Sequence, residues 1–197
     1  MHLRGRSLVA IGFLLALVSM RDEATPSQPP DQVTFVPWKV LNPGDEPVPG
    51  DVILYWLPIS RDDMRRSPLL TSRLLAQYAA QCVGMQVIRP DDTSAIEKLG
   101  ATGKLPAAVL AWRSGEILDR SGSENGALLP ASVEKMVRDA MARLDAAAEK
   151  AIDDARAKAA SGDRTGAIEL YQKVLAERCI FPRKAKDAER ALRRLGG

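Results

Sequence analysis

The fold is decided by residues 52–60, which read Val-Ile-Leu-Tyr-Trp-Leu-Pro-Ile-Ser. The first six are apolar, rich in β-branched and aromatic residues, and do not alternate with polar ones, so they predict a strand covered on both faces. Such strands are typical of parallel sheets flanked by helices. Ser60 can cap a following helix, and the carboxylates of Asp62 and Asp63 would complement its dipole. The stretch therefore predicts a strand that leads directly into a helix.

Working outward, the sequence alternates strands and helices before it becomes wholly helical. The helix after residue 60 has apolar residues at three- and four-residue spacing as far as Cys82. We expect Pro68 to bend this helix or to reset its first turn, and Gly84 to end it. The remaining predicted elements, in chain order, are a strand at 86–88, a helix from Thr93 to Gly100, a hairpin with strands at 106–112 and 116–120, and a long amphipathic helix at 131–160.

The order β-α-β-α-β-β-α resembles the thioredoxin fold. The resemblance covers roughly residues 52–144 and includes the aromatic end of the first strand at Trp56 and the Leu105-Pro106 pair that opens the third. It implies an α/β, thioredoxin-like domain over 51–145. In that family the tryptophan is followed by Cys-x-x-Cys at the helix N-terminus, where the dipole lowers the pKa of the first thiol.

This chain departs from the family at those two positions, which are occupied by Leu57 and Ser60. Leucine can neither ionise nor attack sulfur, so the resemblance predicts no catalytic residue here. It also implies that Pro106 is the cis-proline lying across from the helix N-terminus, where it shapes a peptide-binding groove. The candidate groove is formed by Trp56, Leu57, Pro58, Ser60, Leu105 and Pro106.

The C-terminal residues 146–197 form a separate helical extension. Gly162, Ala167 and Tyr171 resemble the second half of a tetratricopeptide repeat, in which small residues let antiparallel helices approach closely. An ordinary helical bundle fragment is the other interpretation. A third helix is predicted over about 183–195, and its basic residues indicate either a solvated face or contact with an anionic partner.

Cys82 and Cys179 are the only cysteines of the chain. In an oxidising compartment a structural disulfide between them is expected, while two separately buried thiols are the other interpretation. A reactive dithiol is also conceivable, although neither residue lies in a Cys-x-x-Cys or at a helix N-terminus.

The N-terminus predicts export. Arg4 and Arg6 precede an apolar run at 8–18, which is typical of a signal peptide at 1–20 and too short for an ordinary membrane span. An uncleaved anchor, the only membrane contact we expect, is the other interpretation. The predicted location is periplasmic or secreted, and the proline-rich segment 21–50 is a linker containing a short edge strand within 33–41.

Removal of the leader would also remove His2, the only histidine. Histidine-activated nucleophiles and histidine-ligated metal sites are then excluded. The remaining 26 basic and 25 acidic residues are nearly balanced, which gives no reason to expect a nucleic-acid partner. No metal, cofactor or dinucleotide motif is present.

Together these features predict an exported, noncatalytic binding or scaffold protein of the cell envelope with a protein or peptide partner. The alternative is a thiol-disulfide oxidoreductase that uses Cys82 and Cys179.

Overall fold

A computed structural model describes residues 34–42, 45–123 and 125–196. The predicted signal peptide and the first part of the predicted linker lie outside these residues. The strands are β1 (Lys39–Val40), β2 (Val52–Leu57), β3 (Val83–Val87), β4 (Ala107–Trp112) and β5 (Ile117–Gly122). The α-helices are α1 (Arg61–Arg66), α2 (Arg73–Ala80), α3 (Thr93–Lys98), α4 (Pro130–Ala160), α5 (Arg164–Ala176) and α6 (Pro182–Leu195).

The described strands form one mixed sheet in the order β1-β3-β2-β4-β5. Strands β1 and β2 run parallel to β3, whereas β4 runs antiparallel to both β2 and β5. The central strand β2 is buried along almost its whole length, as its uninterrupted apolar sequence predicts. The mixed α/β class is confirmed, and it is compatible with the fold predicted from the sequence.

The single helix predicted after β2 is wrong. Helix α1 ends at Arg66, a 3₁₀-helix follows at Pro68–Thr71, and α2 begins only at Arg73. Ser67 has an extended backbone, because a residue that precedes proline is disfavoured in the helical region. The hydroxyls of Ser67 and Ser72 then accept hydrogen bonds from the backbone of the two following segments, so each break supplies a new N-cap.

Gly84 does not end that helix, which was also predicted wrongly. It lies inside β3 and pairs with Ile53, and a Cβ placed there would meet the carbonyl oxygen of Pro49 at 2.6 Å. A side chain at this position would clash with the loop at Pro49, which passes close to the strand, so glycine fits here. Helix α2 ends at Ala80, and Cys82 adopts a left-handed conformation with φ of 66°. Strand β3 consequently begins three residues earlier than predicted.

Helix α4 has 31 residues, about 46 Å, and contributes to two hydrophobic clusters. Its N-terminal part packs on the sheet through Val133, Met136 and Val137. Its C-terminal part packs with α5 and α6 through Ile152 and Ala155. Helix α4 runs unbroken through residues 145 and 146, so the domain boundary expected there stays a prediction.

The helical extension is held to α4 by small apolar residues and by one cation. Ala167, Ala188 and Ala191 are buried between the helices, which allows close helix approach. Lys184 of α6 lies 3.0 Å from carboxylate oxygens of both Asp145 and Glu149 on α4. Burial by itself would lower the pKa of Lys184, but the hydrogen bonds and charges of the two carboxylates together raise it.

Cys82 and Cys179 form a disulfide, as predicted, with their Cα atoms 5.8 Å apart. The bond joins the loop before β3 to the connection between α5 and α6. Within the described part of the chain, no helix has both the length and the apolar character needed to cross a membrane.

Candidate functional site

The candidate groove lies at the C-terminal end of β2. The antiparallel register pairs Leu57 with Ala107, so the next residues along each strand bring 58–59 beside 105–106. The Leu105–Pro106 peptide bond is cis. The end of β2, the start of α1 and the segment before β4 thus lie at the same end of the sheet, and the six predicted groove residues belong to these three segments.

The start of α1 is fixed by two hydrogen bonds that involve Asp63. The hydroxyl oxygen of Ser60 accepts from the backbone N–H of Asp63 at 3.1 Å, and the Asp63 carboxylate accepts from the backbone N–H of Ile59 at 3.1 Å. The pair differs from a capping box, because the carboxylate accepts from the residue before the N-cap and not from the N-cap itself. Ser60 therefore acts as a helix cap, and its oxygen is already engaged.

Most side chains of the candidate groove do not reach solvent. Trp56 and Leu57 are each 1% exposed, and Pro58 and Pro106 are also buried. Trp56 packs against Trp38 with ring centroids 5.4 Å apart, while Leu57 belongs to a cluster with Ile88 and Val109. These residues support the site from beneath rather than line it.

The accessible part of the site consists of Ile59, Ser60 and the half-buried Leu105. Ile59 is 51% exposed, one of the large apolar side chains of the described chain that face solvent most openly. The sequence analysis did not select it. The sequence offers no signal for this exposure, because an apolar residue just before an N-cap normally packs back onto its own helix.

Neither cysteine of the chain lies at the C-terminal end of β2, so a thiol is absent from this end of the sheet. The disulfide lies next to Val83, which pairs with Val52 at the other end of β2. Five residue steps of an extended strand separate Val52 from Leu57, or about 17 Å. No cluster of histidine, cysteine, aspartate or glutamate that could hold a metal ion occurs among the described residues.

A cavity lies at that opposite end of the sheet. It has a volume of about 550 Å³ and opens between the β4–β5 turn and helices α4 and α5. Trp112 and Val174 contribute to its apolar wall, while Asp51, Glu116 and Glu177 contribute carboxylates. The sequence analysis missed this cleft, since its lining comes from four segments that are distant in the chain.

The charged side chains of the cleft differ in their hydrogen-bond and ion-pair partners. The guanidinium of Arg113 donates to the carbonyl oxygens of Val48 and Gly50, which holds the turn against the loop before β2. Burial raises the pKa of Glu177, and the positive charge of Lys173 opposes this only in part. The cleft thus contains a carboxylate that is partly desolvated and forms no ion pair within the described chain.

No protein-family model matches this chain, and a search of curated proteins finds no similar sequence.

Proposed function

We propose that this chain is an exported, noncatalytic binding or scaffold protein of the cell envelope, built on a thioredoxin-like domain. It would bind an extended peptide segment at the C-terminal end of β2. One observation carries the proposal: the two positions where the family keeps its thiols hold a buried leucine, Leu57, and a helix cap, Ser60. These two residues favour a binding role over sulfur chemistry at this end of the sheet, because neither can form a thiolate.

The thioredoxin-like assignment is supported by the sheet order and by the strand directions. The tetratricopeptide-like assignment is supported by the buried Ala167 and Tyr171, which lie between neighbouring helices as the repeat pattern requires. Export is supported by the disulfide, because such bonds persist in oxidising compartments.

The surface chemistry favours a peptide as the ligand. Ile59 and Leu105 offer apolar contact on two connecting segments, one directly after β2 and the other directly before β4. Exposed apolar side chains suit an apolar side chain of an extended peptide. Ser60 beside them adds a polar edge.

The competing function is thiol-disulfide exchange by Cys82 and Cys179. Its support is that Cys179 is an exposed residue. Against it, Cys82 follows the C-terminus of α2 and Cys179 follows the C-terminus of α5. The negative end of a helix dipole disfavours the thiolate that would have to attack a substrate disulfide.

The proposal is tested by placing a photo-crosslinking amino acid at Ile59 in the full chain, expressed in its native envelope. Phe35 is the matched control, because it is an apolar residue and is 72% exposed. We expect a discrete set of protein adducts from position 59 that is absent from position 35, and that Leu105→Asp removes. Identical adducts from both positions, or adducts unaffected by Leu105→Asp, would contradict the proposal.

A further inference from the structure

A second site is suggested by a small pocket on the helical extension, far along the chain from the candidate groove. It has a volume of about 250 Å³ and lies between α4, α5 and α6. Three of its lining residues are arginines, Arg156, Arg190 and Arg194, and the nearly buried Tyr171 also lines it. Like charges placed together repel, and an anion bound between them relieves that repulsion.

The arginines share this pocket because of their spacing on two helices. Arg190 and Arg194 are four residues apart on α6, and Asp187 precedes Arg190 by three, so these three residues follow one stripe of the helix. Arg156 projects from α4, and α5 places Tyr171 between the two helices. Four lining groups with N–H or O–H donors therefore come from three different helices.

The pocket carries a surplus of positive charge. Arg156 is paired with Asp153 at 2.8 Å, and Arg190 with Asp187 at 2.7 Å, but all four side chains are more than half exposed. Exposed pairs of this kind are weak and yield readily to a stronger partner. Arg194 forms no ion pair within the described chain, and of the pocket's lining residues only Asp187 is acidic.

We propose that this pocket binds a tetrahedral oxyanion with two negative charges, namely phosphate or the phosphoryl group of a monoester. The planar guanidinium fork donates two parallel hydrogen bonds to such a group, and a charged acceptor makes these bonds stronger than neutral ones. The side chain of Tyr171, which also lines the pocket, carries one further O–H group. The site is independent of the peptide-binding surface at β2.

The test is calorimetric titration of the full chain with inorganic phosphate and, in a parallel arm, with phosphoserine, both at fixed ionic strength. Arg194→Gln is compared with Arg193→Gln. The two substitutions remove the same charge one residue apart, but Arg193 pairs with Glu189 and does not line the pocket. Circular dichroism of both variants verifies that the helices are retained.

We expect saturable phosphate binding that Arg194→Gln weakens about tenfold or more, while Arg193→Gln changes it less than about twofold. Sulfate should compete and acetate at equal ionic strength should not. Tighter binding of phosphoserine would identify a monoester as the ligand, and tighter binding of phosphate would identify the free ion. Absence of saturable binding, or equal weakening by both variants, would overturn the proposal.

Discussion

Removal of the disulfide should cost this protein a large part of its stability. The bond joins residues 97 positions apart, so breaking it frees a long loop in the unfolded chain. In the chain-entropy description, closing a loop of this length stabilises the folded state by up to about 4.7 kcal/mol. For a chain of this size, that corresponds to a fall in Tm of about 10 to 20 °C.

The assay is urea unfolding of the full chain and of the Cys82→Ser/Cys179→Ser variant, followed by tryptophan fluorescence and circular dichroism. Trp56 is buried against Trp38, so its emission reports on the sheet core. Wild-type protein in reductant should match the double variant, and reductant should leave the double variant unchanged. Equal urea midpoints for oxidised and reduced wild type would refute the reasoning, because the disulfide would then not restrict the unfolded chain.

Three substitutions test individual contacts through the same unfolding measurement. Ser60→Ala removes the cap of α1 and should lower the free energy of unfolding by about 1 kcal/mol. Glu177→Gln should be more stable than wild type at pH 7, because the folded protein binds the Glu177 proton more tightly than the unfolded chain does. This gain in stability should vanish below the ordinary glutamate pKa of 4.5, where Glu177 is protonated in both states. Lys184→Met should be less stable than wild type below pH 10.5, and the difference should shrink as the pH rises through the raised pKa of Lys184.

A different result would contradict each of these three predictions. An unchanged midpoint in Ser60→Ala would mean that solvent caps α1 as well as the hydroxyl does. A Glu177→Gln advantage that persists at pH 4 would point to packing rather than ionisation. A Lys184→Met deficit independent of pH would mean that the aliphatic stem, and not the charge, contributes the stability.

The sequence predicted best those elements whose residues share one environment along their length. Strand β2 is covered on both faces, and α4 keeps one apolar stripe, so an uninterrupted run and a regular spacing were sufficient. The segment after β2 was predicted less well. Its apolar spacing persists through Ser67 and Ser72, but Pro68 interrupts the backbone and each serine caps a new segment.

The sites were predictable only where they depend on neighbouring residues in the chain. The juxtaposition of residues 57–60 with Pro106 follows from strand register, whereas the burial of Leu57 and the exposure of Ile59 depend on how the helices cover the sheet. The 550 Å³ cleft and the arginine pocket depend on how α5 and α6 dock against α4. No local pattern reports such docking. The basic residues of the last helix indicated either a solvated face or an anionic partner, but not that Arg156 and Tyr171 would join two of them in one pocket.

The claim that this protein binds without exchanging disulfides is tested most directly by insulin reduction with a dithiol as electron donor. Wild type and the Cys82→Ser/Cys179→Ser variant should give the same rate as buffer alone, because both cysteines follow the C-terminus of a helix, where the dipole disfavours a thiolate. A wild-type rate well above that of the double variant would contradict the account and would assign the protein to the oxidoreductases.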